Sequence, residues 1–172
     1  MQSGRLLLVI APARIAKDLT TDVTSRLAML GFVDIIDGGN RLEVYSIARA
    51  IRRQTKDLVA TLKRIRLTRA FTCYQLLALL AQSPTTPSPR IVLDILSTFY
   101  DEGVTVSEAY RLLQESVKHL HRLSRSASVI VFAQPSPFTQ PERALFLEHL
   151  QDIAENVLVF KPNETELPQR LL

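Results

Sequence analysis

Residues Leu6 to Leu19 read LLLVIAPARIAKDL, an apolar run followed by A-x-x-x-x-A-K-D and an amphipathic segment. A working phosphate-binding loop reads G-x-x-x-x-G-K-[ST] in this place, between a strand and a helix. Its glycines let backbone N–H groups wrap phosphate oxygens, its Lys reaches the β- and γ-phosphates, and its hydroxyl binds Mg²⁺. Here Ala11 and Ala16 occupy the glycine positions, and alanine resists the positive φ that glycine permits. Asp18 replaces the hydroxyl and is expected to bring a carboxylate to the helix N-terminus, where a triphosphate would otherwise sit. Of the chemical groups only Lys17 survives. The alternative is an ordinary strand-to-helix turn in which Asp18 is a first-turn acid favoured by the helix dipole.

The chain has 172 residues with 47% apolar positions, enough for one domain with a sizeable core. The reading places an α/β domain at 1–160 and a tail at 161–172, whose polar composition and apolar end suit partial disorder or docking at a sheet edge. No apolar run approaches a membrane span and no leader pattern opens the chain, so a cytoplasmic protein is expected, with no membrane partner. Cys73 is the only cysteine, which excludes an intrachain disulfide and a Cys-based metal site; a buried position is expected for it. His119, His121 and His149 share no ligand spacing with other metal-binding residues and are read as surface residues.

Short apolar runs alternate with helical patterns. Strands are expected at Leu6 to Ile10, Val33 to Ile36, Ile65 to Arg69, Ile91 to Leu96, Val129 to Ala133 and Val157 to Phe160. Most are continuous apolar runs, the signature of strands covered on both faces. Helices are expected at Ala16 to Leu30, Val44 to Gln54, Lys56 to Lys63, Tyr74 to Gln82, Val106 to Ser124 and Gln140 to Ile153. Along the longest, Val106, Ala109, Tyr110, Leu113, Val117, Leu120 and Leu123 form one apolar stripe. Such alternation predicts a mainly parallel sheet in a three-layer α/β/α domain.

A second anchor is RIVLDILSTFYDEG, Arg90 to Gly103, in which Asp94 follows an apolar strand as the Mg²⁺-holding acid of a Walker B strand does. Taken in order, four segments resemble the ATPase core of the RecA/RadA recombinase superfamily. LTRAFTCYQLLALL is similar to its Arg-Ala-Phe-to-Gln strand-to-helix segment, through Arg69, Ala70, Phe71 and Gln75. VDIIDGGNRL resembles the strand and turn that carry D-T-E-G, RIVLDILS the Walker B strand, and VIVFAQP the strand that ends in N-Q. The resemblance covers about Arg5 to Phe160 and implies a RecA-like P-loop NTPase fold. It also implies a vestigial nucleotide site at Ala11, Ala16, Lys17, Asp18 and Asp94.

The departures point away from hydrolysis. Gly39 falls where the resemblance would place the catalytic Glu, and glycine neither abstracts a proton nor orients water. Asp37 or Glu43 is left as a substitute carboxylate, without a spacing that argues for either. No cofactor is expected, with ATP and Mg²⁺ held only if the altered loop retains binding. The stretches matching the family's DNA-binding loops are acidic (Asp101, Glu102, Glu108) or proline-rich before Arg143.

Positive charge gathers elsewhere. Arg49, Arg52, Arg53 and Lys56 follow i, i+3, i+4, i+7 spacing and would share a helix face, with Lys63, Arg64, Arg66 and Arg69 following. The net charge of +4 therefore conceals a basic patch suited to phosphates or an acidic protein surface. Three readings follow: a non-hydrolysing accessory or interaction protein, by family resemblance in DNA recombination or repair, meeting a protein partner or a second copy; a nucleic-acid-binding module using the basic face; and a weak nucleotide-binding protein or ATPase.

Overall fold

The computed structural model describes residues 5–162. The tail proposed at 161–172 therefore lies outside the described residues from 163 onward. Six strands form one parallel sheet in the order β3-β2-β4-β5-β1-β6. They are β1 (Leu6–Ile10), β2 (Val33–Asp37), β3 (Ile65–Arg69), β4 (Arg90–Leu93), β5 (Val129–Ala133) and β6 (Asn156–Val159). The helices are α1 (Ala13–Leu30), α2 (Val44–Arg52), α3 (Leu58–Leu62), α4 (Cys73–Gln82), α5 (Val106–Ser124) and α6 (Ala144–Ile153), with short 3-10 turns at Ser97–Tyr100 and Pro141–Arg143.

Alternation along each strand builds two cores from one sheet. Val9, Val33, Ile35, Ile91, Leu93 and Phe132 pack beneath α1, α2 and α3. Leu8, Ile10, Ile36, Val92, Val129 and Val131 face the helices α4, α5 and α6. The result is the expected three-layer α/β/α architecture. No helix among the described residues is long and apolar enough to cross a membrane.

The helix starts follow local chemistry. Thr72 caps α4 by accepting from the Gln75 N–H at 3.1 Å, while the Gln75 Oε1 accepts from the Phe71 N–H at 2.9 Å. Gln75 is thereby held by a helix-capping role, and Phe71 itself is exposed. Thr105 caps α5 through the Glu108 N–H, and the predicted stripe on that helix is its buried face.

Several sequence expectations are corrected. Helix α1 begins at Ala13 rather than Ala16. Strand β4 stops at Leu93 because Asp94 takes φ 47°, so Ile95 and Leu96 enter the core from a turn instead of a strand. Helix α2 ends at Arg52, short of Gln54. Strand β6, expected to be covered, is exposed along its length because it lies at the sheet edge. His119, His121 and His149 are all half-buried rather than fully exposed at the surface, the His149 ring lying edge-on to Tyr110 at 5.4 Å. Cys73 is buried, as expected.

Candidate functional site

In an open parallel sheet the carboxyl ends of the strands are where ligands bind. At that end Asp37 closes β2, Asp94 follows β4, Gln134 follows β5, and Ala11 follows β1. Asp37 is fully buried, and its carboxylate accepts from the N–H groups of Gly39 (3.2 Å), Arg41 (3.1 Å) and Leu42 (2.9 Å). It folds the Asp-Gly-Gly-Asn turn around itself, with Asn40 taking the left-handed conformation its short polar side chain tolerates. Arg69 of β3 approaches the same carboxylate at 3.7 Å.

The turn directs Arg41 to Asp94, Nε to Oδ2 at 2.9 Å. Burial pushes the Asp94 carboxyl above its ordinary pKa of 3.8; Arg41 opposes this, and the nearby Asp37 charge adds to it. Gly39 lies directly against this side chain. A Cβ there would stand 2.3 Å from Asp94 Oδ2, so the position that the resemblance would give to a catalytic Glu has no room for any side chain.

The Ala11-to-Asp18 stretch holds no loop. Pro12 precedes the first turn, the Ala16 N–H donates to the Pro12 carbonyl at 2.9 Å, and Ala13 onward is helix. The amides of Ala16, Lys17 and Asp18, which a phosphate loop would turn towards a ligand, are spent within the helix, and only those of its first turn lack an intrahelical acceptor. Asp18 is accordingly the sixth helical residue, not an N-terminal acid, and is exposed. Ala11 is buried in the core beneath α1. Lys17 reaches across to Glu43, Nζ to Oε1 at 2.7 Å, and that hydrogen bond, with a second from Ser46, holds the Glu43 carboxyl below its ordinary value.

Thus Ala16, Lys17 and Asp94 line one cleft with Arg41, Glu43 and Gln134, while Ala11 and Asp18 do not. The cleft measures about 40 Å³, against roughly 300–1,000 Å³ for pockets that enclose small molecules. Both cations that reach it already hold carboxylates. Arg41 is the member that sequence reasoning missed, since no spacing rule links it to Asp94. No group of three or more His, Cys, Asp or Glu residues among the described residues is placed to hold a metal ion.

The loops beside the site are tied to one another. Tyr100 donates its hydroxyl to the Gln134 carbonyl at 2.7 Å, Gln140 donates to Glu102 at 3.1 Å, and the buried Arg143 donates to the Phe99 and Val104 carbonyls.

The basic residues divide. Arg49, Arg52 and Arg53 are exposed around the carboxyl end of α2, and Lys56 is exposed beyond it in the following turn, so it is not on the helix that the i+7 spacing assumed. Arg52, Arg53 and Lys56 border an open hollow of about 540 Å³. Lys63 is exposed just past α3. Arg64 is committed elsewhere: its Nη1 donates to the Ala28 and Met29 carbonyls, both at 3.1 Å, closing the end of α1. Because α2 runs back from the site, this surface lies towards the opposite end of the sheet.

No protein-family model and no curated protein sequence matches the chain.

Two substitutions test this geometry. Gly39→Ala is expected to displace Asp94 and cost about 1–3 kcal/mol, as overpacking does, measured by urea unfolding. For Asp94 the raised pKa means that the folded state retains its proton to higher pH than the unfolded state, so ionisation removes stability as pH rises above about 4. Asp94→Asn, which tolerates the same backbone, is therefore expected to gain in melting temperature relative to the parent between pH 3 and pH 7. A constant difference would show that burial does not govern Asp94.

Proposed function

We propose that the chain is a catalytically degenerate RecA/RadA-like domain that acts as a non-hydrolysing accessory or interaction protein. DNA recombination or repair is the process the resemblance implies. The observation that carries this reading is the winding of Ala13 to Asp18 into helix, which commits the Ala16, Lys17 and Asp18 amides to intrahelical bonds instead of a loop wrapped around a phosphate. The Lys17–Glu43 and Arg41–Asp94 pairs and the bar to a side chain at Gly39 support it independently. Those groups retain a structural use: they tie the turn after β2 to α1 on one side and to the end of β4 on the other.

The test is thermal unfolding with Mg-ATP. A ligand present at a hundred times its Kd stabilises by about 2.7 kcal/mol, so even modest affinity is visible at millimolar nucleotide. No shift in melting temperature is expected. A rise of several degrees would establish the nucleotide-binding alternative and sink this one.

A second reading, nucleic-acid binding by the basic surface, has its own support. Arg49, Arg52, Arg53 and Lys56 are exposed with no ion pair among the described residues. The last turn of α2 also accounts for Arg49 and Arg52, since cations there are favoured by the helix dipole. A gel shift at low salt decides between them. Phosphate binding requires a complex that weakens steeply with salt and disappears when Arg49, Arg52 and Arg53 are all reversed to Glu; a purely structural role gives no complex.

A further inference from the structure

The two edges of the sheet are built differently. Strand β3 carries Arg66 and Arg69, paired to Asp34 and Asp37, and charge on an edge strand discourages further strand addition. Strand β6 and the residue after it read Asn156-Val157-Leu158-Val159-Phe160, with no charge, no proline and no glycine. These apolar residues are exposed, Leu158 to 48% and Val159 to 57%. Among the described residues the strand pairs on one side only, with β1.

The backbone sets which groups face outwards. The Phe160 N–H donates to the Ile10 carbonyl at 2.8 Å, and alternation along a parallel strand, in the register that pairs Val9 with Leu158, then turns the N–H and C=O groups of Leu158 to β1 and those of Val157 and Val159 to the open edge. From the pairing of Leu8 with Val157, Val9 with Leu158 and Ile10 with Val159, the two valines lie on the α6 side and Leu158 on the α1 side. Glu155 and Lys161 flank the apolar run, each three residues from Leu158.

We propose that β6 pairs antiparallel with β6 of a second copy of this chain, about a two-fold axis at Leu158, joining two six-stranded sheets into one. This register follows from symmetry and charge. Centred on Leu158, it sets Val157 opposite the partner's Val159 on one face, and Glu155 opposite the partner's Lys161 at both ends. Val157 and the partner's Val159, with N–H and C=O turned outward, meet as hydrogen-bonded pairs on either side of Leu158, which meets its own copy as a non-hydrogen-bonded pair. A shift of the axis by one residue would lose both charge matches. The same surface patch serves both copies, as a closed two-fold interface requires. The inference deepens the interaction reading but does not need it, because a chain that bound nucleotide would present the same edge.

The experiment is size-exclusion chromatography with light scattering on the 172-residue chain at about 100 μM. Twice the chain mass of 19.4 kDa is expected. Leu158→Lys, which sets two cations face to face in the pair, is expected to give monomer with an unchanged melting curve. Glu155→Lys or Lys161→Glu alone weakens dimerisation several-fold, and the two together restore it. Oxidised Leu158→Cys is expected to form a covalent dimer, since the roughly 4.5 Å Cα separation of a non-hydrogen-bonded antiparallel pair lies within the range of a disulfide. Val157→Cys, which faces Val159, is not, and the buried Cys73 does not compete. A monomeric parent chain, as would result if residues 163–172 covered their own edge, overturns the proposal. So does a dimer indifferent to Leu158→Lys, or one that links through Val157→Cys instead. None of these readouts depends on nucleotide, so failure here leaves the preceding proposal to its own test.

Discussion

The buried carboxylate of Asp37 is the constraint from which the rest of the site follows. A charge with no exposure is tolerated only when fully hydrogen-bonded, and here three backbone N–H groups and the approach of Arg69 meet that demand. To supply those donors the chain must turn tightly after β2. That turn brings Gly39 against Asp94, aims Arg41 at the same carboxylate, and delivers Glu43 to Lys17. One acid thus sets the positions of three elements that are distant in sequence.

The same groups have opposite meanings in a nucleotide site and in a structural one. Lysine beside phosphate must be free of other anions, and a metal-holding acid must be free of cations. Lys17 and Asp94 both have a protein partner of opposite sign. The strain of a positive φ at Asp94 is met by the packing around it: Ile95, Leu96 and Phe99 all enter the core directly after it.

Much of the fold was legible because its signals are local and periodic. The apolar runs at Leu6 to Ile10 and Val129 to Ala133 match β1 and β5, the alternating Ile65 to Arg69 matches β3, and the stripe from Val106 to Ser124 matches α5. The misreadings have physical causes. Ala13, Arg14 and Ile15 continue a helix readily, but a motif-based reading reserved them for a loop. IVLDIL is uniformly apolar, and nothing in that pattern marks the backbone reversal at Asp94. A continuous apolar run was taken to imply cover on both faces, whereas β6 is apolar and open. In the site, Lys17 and Asp94 were legible as types in order, but their partners were not. Arg41 and Glu43 come into play only through a turn whose shape depends on Asp37.

The early start of α1 also bears on what substitution could build at this end of the sheet. Changing Ala11 and Ala16 to glycine and Asp18 to threonine would rebuild the letters of a nucleotide loop, yet the chain between β1 and α1 has only Ala11 and Pro12 to spare. A polypeptide segment that must encircle a ligand needs slack, and here the slack has been wound up. Forming such a loop would require melting more than a full turn of helix and separating Lys17 from Glu43 as well. The barrier to a nucleotide loop here lies in chain length, which no point substitution supplies.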